Sequence, residues 1–148
     1  MIVFIDDERW TIQAYIDELE LKSLEKYQYQ PKHFYFPKDA LDFAINNFKI
    51  INAFIVDIGM DYGVELDLMN HLPGGIEFIK NIKENPNLNK IPIIILTVYD
   101  KHQIEISRGI DLNSDNLIMY IDRNQTDRDK VLWDNIDSAI VNSCFNNI

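Results

Sequence analysis

Four stretches of the chain are apolar almost without a break: Ile2–Ile5, Phe54–Val56 with its flanks, Ile91–Leu96 and Leu117–Ile121. A weaker candidate is His33–Phe36. The runs at Ile2, Ile91 and Leu117 do not alternate between apolar and polar residues. A strand reads this way when both of its faces are covered, as in a parallel sheet between helix layers. Helical spacing fills the gaps. Ile12, Tyr15, Ile16 and Leu19 make one stripe, and Leu41, Ala44, Ile45 and Phe48 make a second after Pro37, a residue suited to a first helical turn. Ile76, Ile79 and Ile82 make a third, closed by Asn85-Pro86, and Leu132, Ile136, Ala139, Ile140 and Ser143 make the last. The segment Lys101–Gly109, with only Ile104 and Ile106, is a weaker helix.

The order is therefore strand, helix, strand, helix, five times over. Right-handed crossovers between parallel strands put helices on both faces, so the pattern predicts an α/β, doubly wound, flavodoxin-like (βα)5 sandwich with a five-stranded sheet of order 2-1-3-4-5. The length of 148 residues, with no linker or repeat, fits one domain over residues 1–148.

Composition narrows the partners. Fourteen basic against 24 acidic residues leave a net charge of −10 without a basic cluster, which argues against nucleic acid and against an anionic membrane surface. A single cysteine, Cys144, supports neither a disulfide framework nor a zinc cluster and suits a reducing compartment. His33, His71 and His102 are too scattered for a metal site. The N-terminus turns acidic after five residues and no apolar run approaches spanning length, so the expected location is the cytoplasm.

Chemistry in such sheets gathers outside the carboxyl ends of the strands. Those ends carry Asp6-Asp7-Glu8, Asp57, Thr97 and Asp122-Arg123. In the order 2-1-3-4-5, strands one and three are neighbours, so Asp6, Asp7 and Asp57 crowd together. Two carboxylates about 4 Å apart repel by roughly 4 kcal/mol at an effective dielectric near 20. A proton or a cation must relieve that. Oxygen-only ligands favour a hard ion such as Mg²⁺. A Thr97 hydroxyl and an Arg123 guanidinium suit phosphate oxygens, and the set as a whole suits phosphoryl transfer onto a carboxylate. Read singly, each residue has a plainer role. Asp57 and Asp6-Asp7 fit turns or helix caps, Thr97 fits an ordinary strand residue and Arg123 a solvated charge. Their shared end of one sheet favours the joint reading.

With these residues in place the chain resembles the receiver domain of bacterial two-component response regulators, of the CheY-like kind. The match runs through "IVFIDDER", "AFIVDIGM", "PGGIEFIKNIKE", "IPIIILTVYD" and "LIMYIDRN" and covers residues 2–145. The resemblance implies Asp57 as phosphoacceptor, and Asp6, Asp7 and the Gly59 carbonyl as ligands of Mg²⁺ with Asp57. It implies Thr97 as the residue that contacts the phosphoryl group, and Tyr120 as the aromatic switch that turns inward. It also implies a histidine kinase or phosphotransfer protein as donor, and a downstream protein partner on the fourth helix, fifth strand and fifth helix. A homodimer is left open.

Three departures stand out. Arg123 takes the place of a family lysine, and Arg is larger and fork-shaped. Val98 follows Thr97 where a small residue is usual, and it is expected to narrow the approach to Asp57. Gly75, which opens the third helix, comes eighteen residues after Asp57, twice the family's spacing. The extra segment, residues 61–72, reads either as an insertion packed over the sheet edge or as a lid or docking surface beside the site. Its acidic residues are Asp61, Glu65 and Asp67. The leading function is a single-domain receiver, not an enzyme beyond its own phosphorylation and dephosphorylation. The alternatives are a pseudo-receiver that serves as a phosphorylation-independent interaction module and, remotely, an aspartate-nucleophile phosphatase. The last needs a second aspartate two residues after the nucleophile as general acid, and Gly59 stands there.

Overall fold

The computed structural model describes residues 1–23, 30–63, 73–108 and 115–146. The elements follow as β1 (Ile2–Ile5), α1 (Arg9–Ser23), β2 (Pro31–Phe34), α2 (Pro37–Asn47), a 3-10 turn (Phe48–Ile50), β3 (Ala53–Val56), α3 (Gly74–Glu84), β4 (Ile93–Thr97), α4 (Lys101–Arg108), β5 (Ile118–Asp122) and α5 (Arg128–Asn146). All five strands pair in parallel in the order β2-β1-β3-β4-β5, as the pattern predicts. No helix among the described residues is long and apolar enough to cross a membrane.

The unbroken apolar runs supply two cores, one on each side of the sheet. Successive strand side chains point to opposite faces. Val3, Ile5, Phe54, Val56, Ile93 and Ile95 pack with Ala40, Leu41 and Ala44 of α2, Ile76, Phe78, Ile79 and Ile82 of α3, and Ile104 of α4. Ile2, Phe4, Ala53, Ile55, Ile94, Leu96 and Ile121 pack with Ile12, Tyr15 and Leu19 of α1 and with Leu132, Trp133, Ile136 and Ala139 of α5. Each fully buried Leu, Ile, Val or Phe contributes about 1.5–3 kcal/mol of transfer free energy, so both cores hold the sheet between its helix layers.

Four boundaries differ from the sequence reading. The second strand lies two residues earlier, because its register is set by pairing Ile2 with Pro31 and Ile5 with Phe34 on β1. Pro31 is tolerated there since β2 is an edge strand. Tyr35 and Phe36 instead lead into Pro37 at the start of α2. The fourth strand starts at Ile93, because Pro92 has no N–H to give and Ile91 is held in the preceding turn by the Leu88 carbonyl. The fifth runs one residue later at both ends. In α2 the buried stripe is Ala40, Leu41 and Ala44, while Ile45 is exposed and Phe48 leaves the helix for the 3-10 turn. The weak helix forms as α4, though Gly109, its expected last residue, lies outside the described residues, as does His71.

Candidate functional site

The parallel register places the site. Ile5 pairs with Val56, so Asp6 and Asp57 leave their strands side by side, and the Asp57 N–H still donates to the Ile5 carbonyl at 3.0 Å. Thr97, the last residue of β4, pairs with Asp122, and the Arg123 N–H donates to the Thr97 carbonyl at 2.8 Å. Asp6, Asp7, Asp57, Thr97 and Arg123 therefore share one end of the sheet. Asp6, Asp7 and Asp57 each offer a carboxylate oxygen, and these oxygens lie within 4.8 Å of one another. That is an oxygen-only donor set of the size a hard divalent cation takes.

Each side chain is held by its neighbours. Asp6 is 2% exposed. Its Oδ1 accepts the Glu8 N–H at 2.7 Å, and its Oδ2 forms a short ion pair with Arg123 Nη2. His33 Nε2 donates to the Asp6 carbonyl at 2.7 Å, which ties the edge strand to the site. Asp57 Oδ1 accepts the Ile58 N–H at 2.8 Å, which sets the rotation of the carboxylate. Thr97 is fully buried and its Oγ accepts the Tyr99 N–H at 3.4 Å. Tyr120 is half-buried and its hydroxyl donates to the Tyr99 carbonyl at 2.6 Å, so the loop after β4 is pinned to β5.

Arg123 does not point its fork at Asp57. Besides Asp6, Nη1 reaches Glu8 Oε2 at 3.4 Å and Nη2 reaches the Leu96 carbonyl at 3.3 Å. Nε is buried without a hydrogen-bond partner among the described residues. Two local aromatic features escaped the sequence reading. The Tyr99 ring lies over Gly59, where an added Cβ would sit 2.5 Å from its Cε2. Val98, by contrast, is 58% exposed. Trp10 is 86% exposed. An aromatic two residues past a strand carries no signal of what it will cover, so Tyr99 was not legible.

The long loop is described in part. Residues 58–63 leave Asp57 and run toward the start of α2, where the buried Tyr62 accepts the Lys38 N–H on its carbonyl at 3.0 Å and Gly63 turns with φ 100° against Phe36. The chain then returns at Gly74, whose N–H donates to the Met60 carbonyl at 2.6 Å. Asp61 is exposed and its Oδ1 accepts the Gly63 N–H at 3.0 Å; Glu65 and Asp67 lie outside the described residues.

Burial raises the Asp6 carboxyl above its usual 3.8, against the lowering pull of the Glu8 N–H and of Arg123 and with a further push from Asp57. The surrounding carboxylates hold the Arg123 guanidinium more firmly charged than usual, against the cost of its burial. The sign for stability follows. A carboxyl whose folded pKa is raised supplies stability at low pH that is lost as pH rises through the folded value. The stability difference between the native chain and Asp6→Asn should therefore fall as pH is raised from 3.8 through the folded value. Urea unfolding of both at matched pH checks this; a difference that grows with pH would contradict it.

No protein-family model matches the chain, and no curated protein does. Solved structures do. A signal receiver domain of a signal transduction histidine kinase from Syntrophus aciditrophicus is 20% identical, with 95% of this chain and 89% of that chain covered at a TM-score of 0.66. A response regulator from Desulfuromonas acetoxidans is 15% identical, with 94% of each chain covered at 0.65. A signal receiver domain of a DNA-binding response regulator from Colwellia psychrerythraea 34H is 17% identical, covered over 94% and 96% at 0.63. Both chains of each pair are spanned nearly end to end, and the chain, with its parallel sheet of order β2-β1-β3-β4-β5, therefore has the fold of a signal receiver domain.

Proposed function

We propose that this chain is a receiver module that takes a phosphoryl group on Asp57 from a histidine kinase or phosphotransfer protein and passes the signal on by changing protein contacts. The observation that carries the reading is the convergence of Asp6, Asp7 and Asp57 at the switch point of a receiver fold, with buried Thr97 at the same sheet end. Asp57 Oδ1 is occupied by the Ile58 N–H, so the other oxygen is the nucleophile. It forms an O–P bond while the donor's bond to phosphorus breaks and its electron pair leaves with the donor. Thr97 Oγ accepts from Tyr99, which leaves its own proton for an incoming phosphoryl oxygen.

Asp6, Asp7, Asp57 and the Gly59 carbonyl are the groups that would hold Mg²⁺. The three carboxylates sum to −3, of which the guanidinium on Asp6 offsets one, so the cup retains negative charge for a divalent cation. When bound, the ion neutralises charge on the phosphoryl oxygens. Tyr120 joins the readout, since its hydroxyl is fastened to the backbone of the loop that follows Thr97. A phosphoryl group that draws on Thr97 pulls on the same loop, and β5 with α4 and α5 is the surface where a partner would sense it.

Intact mass after incubation with acetyl phosphate and Mg²⁺ tests the reading. One added phosphoryl group is expected, lost completely in Asp57→Asn. No addition to the folded native chain at saturating donor would favour a phosphorylation-independent interaction module instead.

A further inference from the structure

The acidic cup already contains a cation. Arg123 is 10% exposed at its side chain, and its Nη2 pairs with the Oδ2 of Asp6, whose Oδ1 is taken by the Glu8 N–H. Both oxygens of the most deeply buried carboxylate in the cup are therefore engaged by the chain itself. The guanidinium spans outward, with Nη1 on Glu8, whose side chain is 62% exposed. It is also incompletely satisfied, because Nε is buried and has no hydrogen-bond partner among the described residues. A buried donor left without a partner makes the inner seat less favourable than a fully bonded one. Movement of the fork toward Glu8 gives up Asp6 while keeping a carboxylate that Nη1 already reaches at 3.4 Å.

We propose that Arg123 is a tethered competitor for the metal position: it neutralises Asp6 in the metal-free chain and is displaced toward Glu8 when a divalent cation enters. This rests on reading Asp6 as a cation ligand. Arginine does this where lysine would not. A rigid fork reaches Asp6, Glu8 and the Leu96 carbonyl together, whereas an ammonium is a compact, strongly hydrated point charge on a flexible stem. The consequence is a receiver site with a raised threshold for Mg²⁺, set by one residue that faces the ligands without being one.

The experiment is Mg²⁺ titration of the full chain by calorimetry, with Mn²⁺ by electron paramagnetic resonance as a second probe, on the native chain, Arg123→Lys and Arg123→Ala. Removal of the competitor should tighten binding roughly tenfold or more in Arg123→Ala, because it lifts the repulsion between a fixed positive charge and the ion. Arg123→Lys should fall between the two. That intermediate value separates occupancy from long-range charge, because lysine keeps the charge but loses the fork. Lysine binding metal no more tightly than the native chain overturns the proposal, whatever alanine does, and so does the absence of metal binding in all three proteins. If alanine leaves Asp6 too poorly compensated to fold without metal, the lysine variant still decides. Phosphoryl uptake is read separately by mass. The predicted ranking without uptake keeps the competitor and removes the acceptor reading, and uptake without the ranking does the reverse.

Discussion

Gly75→Ala is expected to destabilise the chain by about 3 kcal/mol, near the upper end of the usual cost of forcing extra volume into a packed site. For a chain of this size that corresponds to a fall of roughly 6–12 °C in melting temperature. Gly75 is the second residue of α3, and a Cβ there would stand 2.0 Å from the Asp57 carbonyl oxygen and 2.7 Å from the Ile58 Cα. Both neighbours are backbone, so neither can rotate away. The helix must retreat or the segment after β3 must shift. A shift also breaks the bond from the Gly75 N–H to the Ile58 carbonyl, now 3.2 Å, and displaces the peptide that orients the Asp57 carboxylate. Stability and phosphoryl uptake should therefore fall together. Urea unfolding with intact-mass measurement on the same sample checks this; a loss below about 1 kcal/mol, the smallest overpacking cost, would contradict it.

Phe78→Ala should cost more, about 3–5 kcal/mol, the range for removing a buried phenylalanine. Phe78 is fully buried and meets the Phe54 ring edge-on with centroids 5.2 Å apart. This pair locks α3 to β3, the strand that delivers Asp57. Against a total stability of about 5–15 kcal/mol, such a loss takes much of the native margin. Unlike position 75, it leaves the backbone around Asp57 in place. The expected outcome is a much lower urea midpoint with phosphoryl uptake per folded molecule unchanged. Uptake that falls faster than the folded fraction would mean that the α3 packing reaches the site.

These two positions show what the sequence could and could not convey. Phe54 in its apolar run and Ile76, Ile79 and Ile82 by their spacing announce buried faces, whereas the buried Phe78 fell outside that stripe; the fold followed because unbroken apolar strands must be covered on both sides. The acidic cup was legible for a related reason. Asp6 and Asp57 each end a strand, and parallel strands in the order found must bring their carboxyl ends together. The steric role of Gly75 was not visible in spacing, because it depends on how closely α3 approaches the Asp57 peptide. Arg123 was readable as a cation at the right sheet end, but its direction was not. Its fork turns to Asp6 and Glu8 because two carboxylates outcompete one at short range, a matter of local geometry. Likewise the path of residues 58–63 toward α2 rests on the burial of Ile58, Met60 and Tyr62 and on the backbone bond from Lys38 to Tyr62, which no residue pattern reveals.

The central claim is that Asp57 is the nucleophile of this receiver fold. Borohydride reduces an aspartyl phosphate to homoserine, which marks the acceptor position permanently. The chain should be treated with acetyl phosphate and Mg²⁺, reduced, digested and sequenced by mass spectrometry. Homoserine at position 57 alone, absent from Asp57→Asn, is the result predicted here. Homoserine at Asp6, Asp7 or elsewhere, or none in a folded chain at saturating donor, would contradict it.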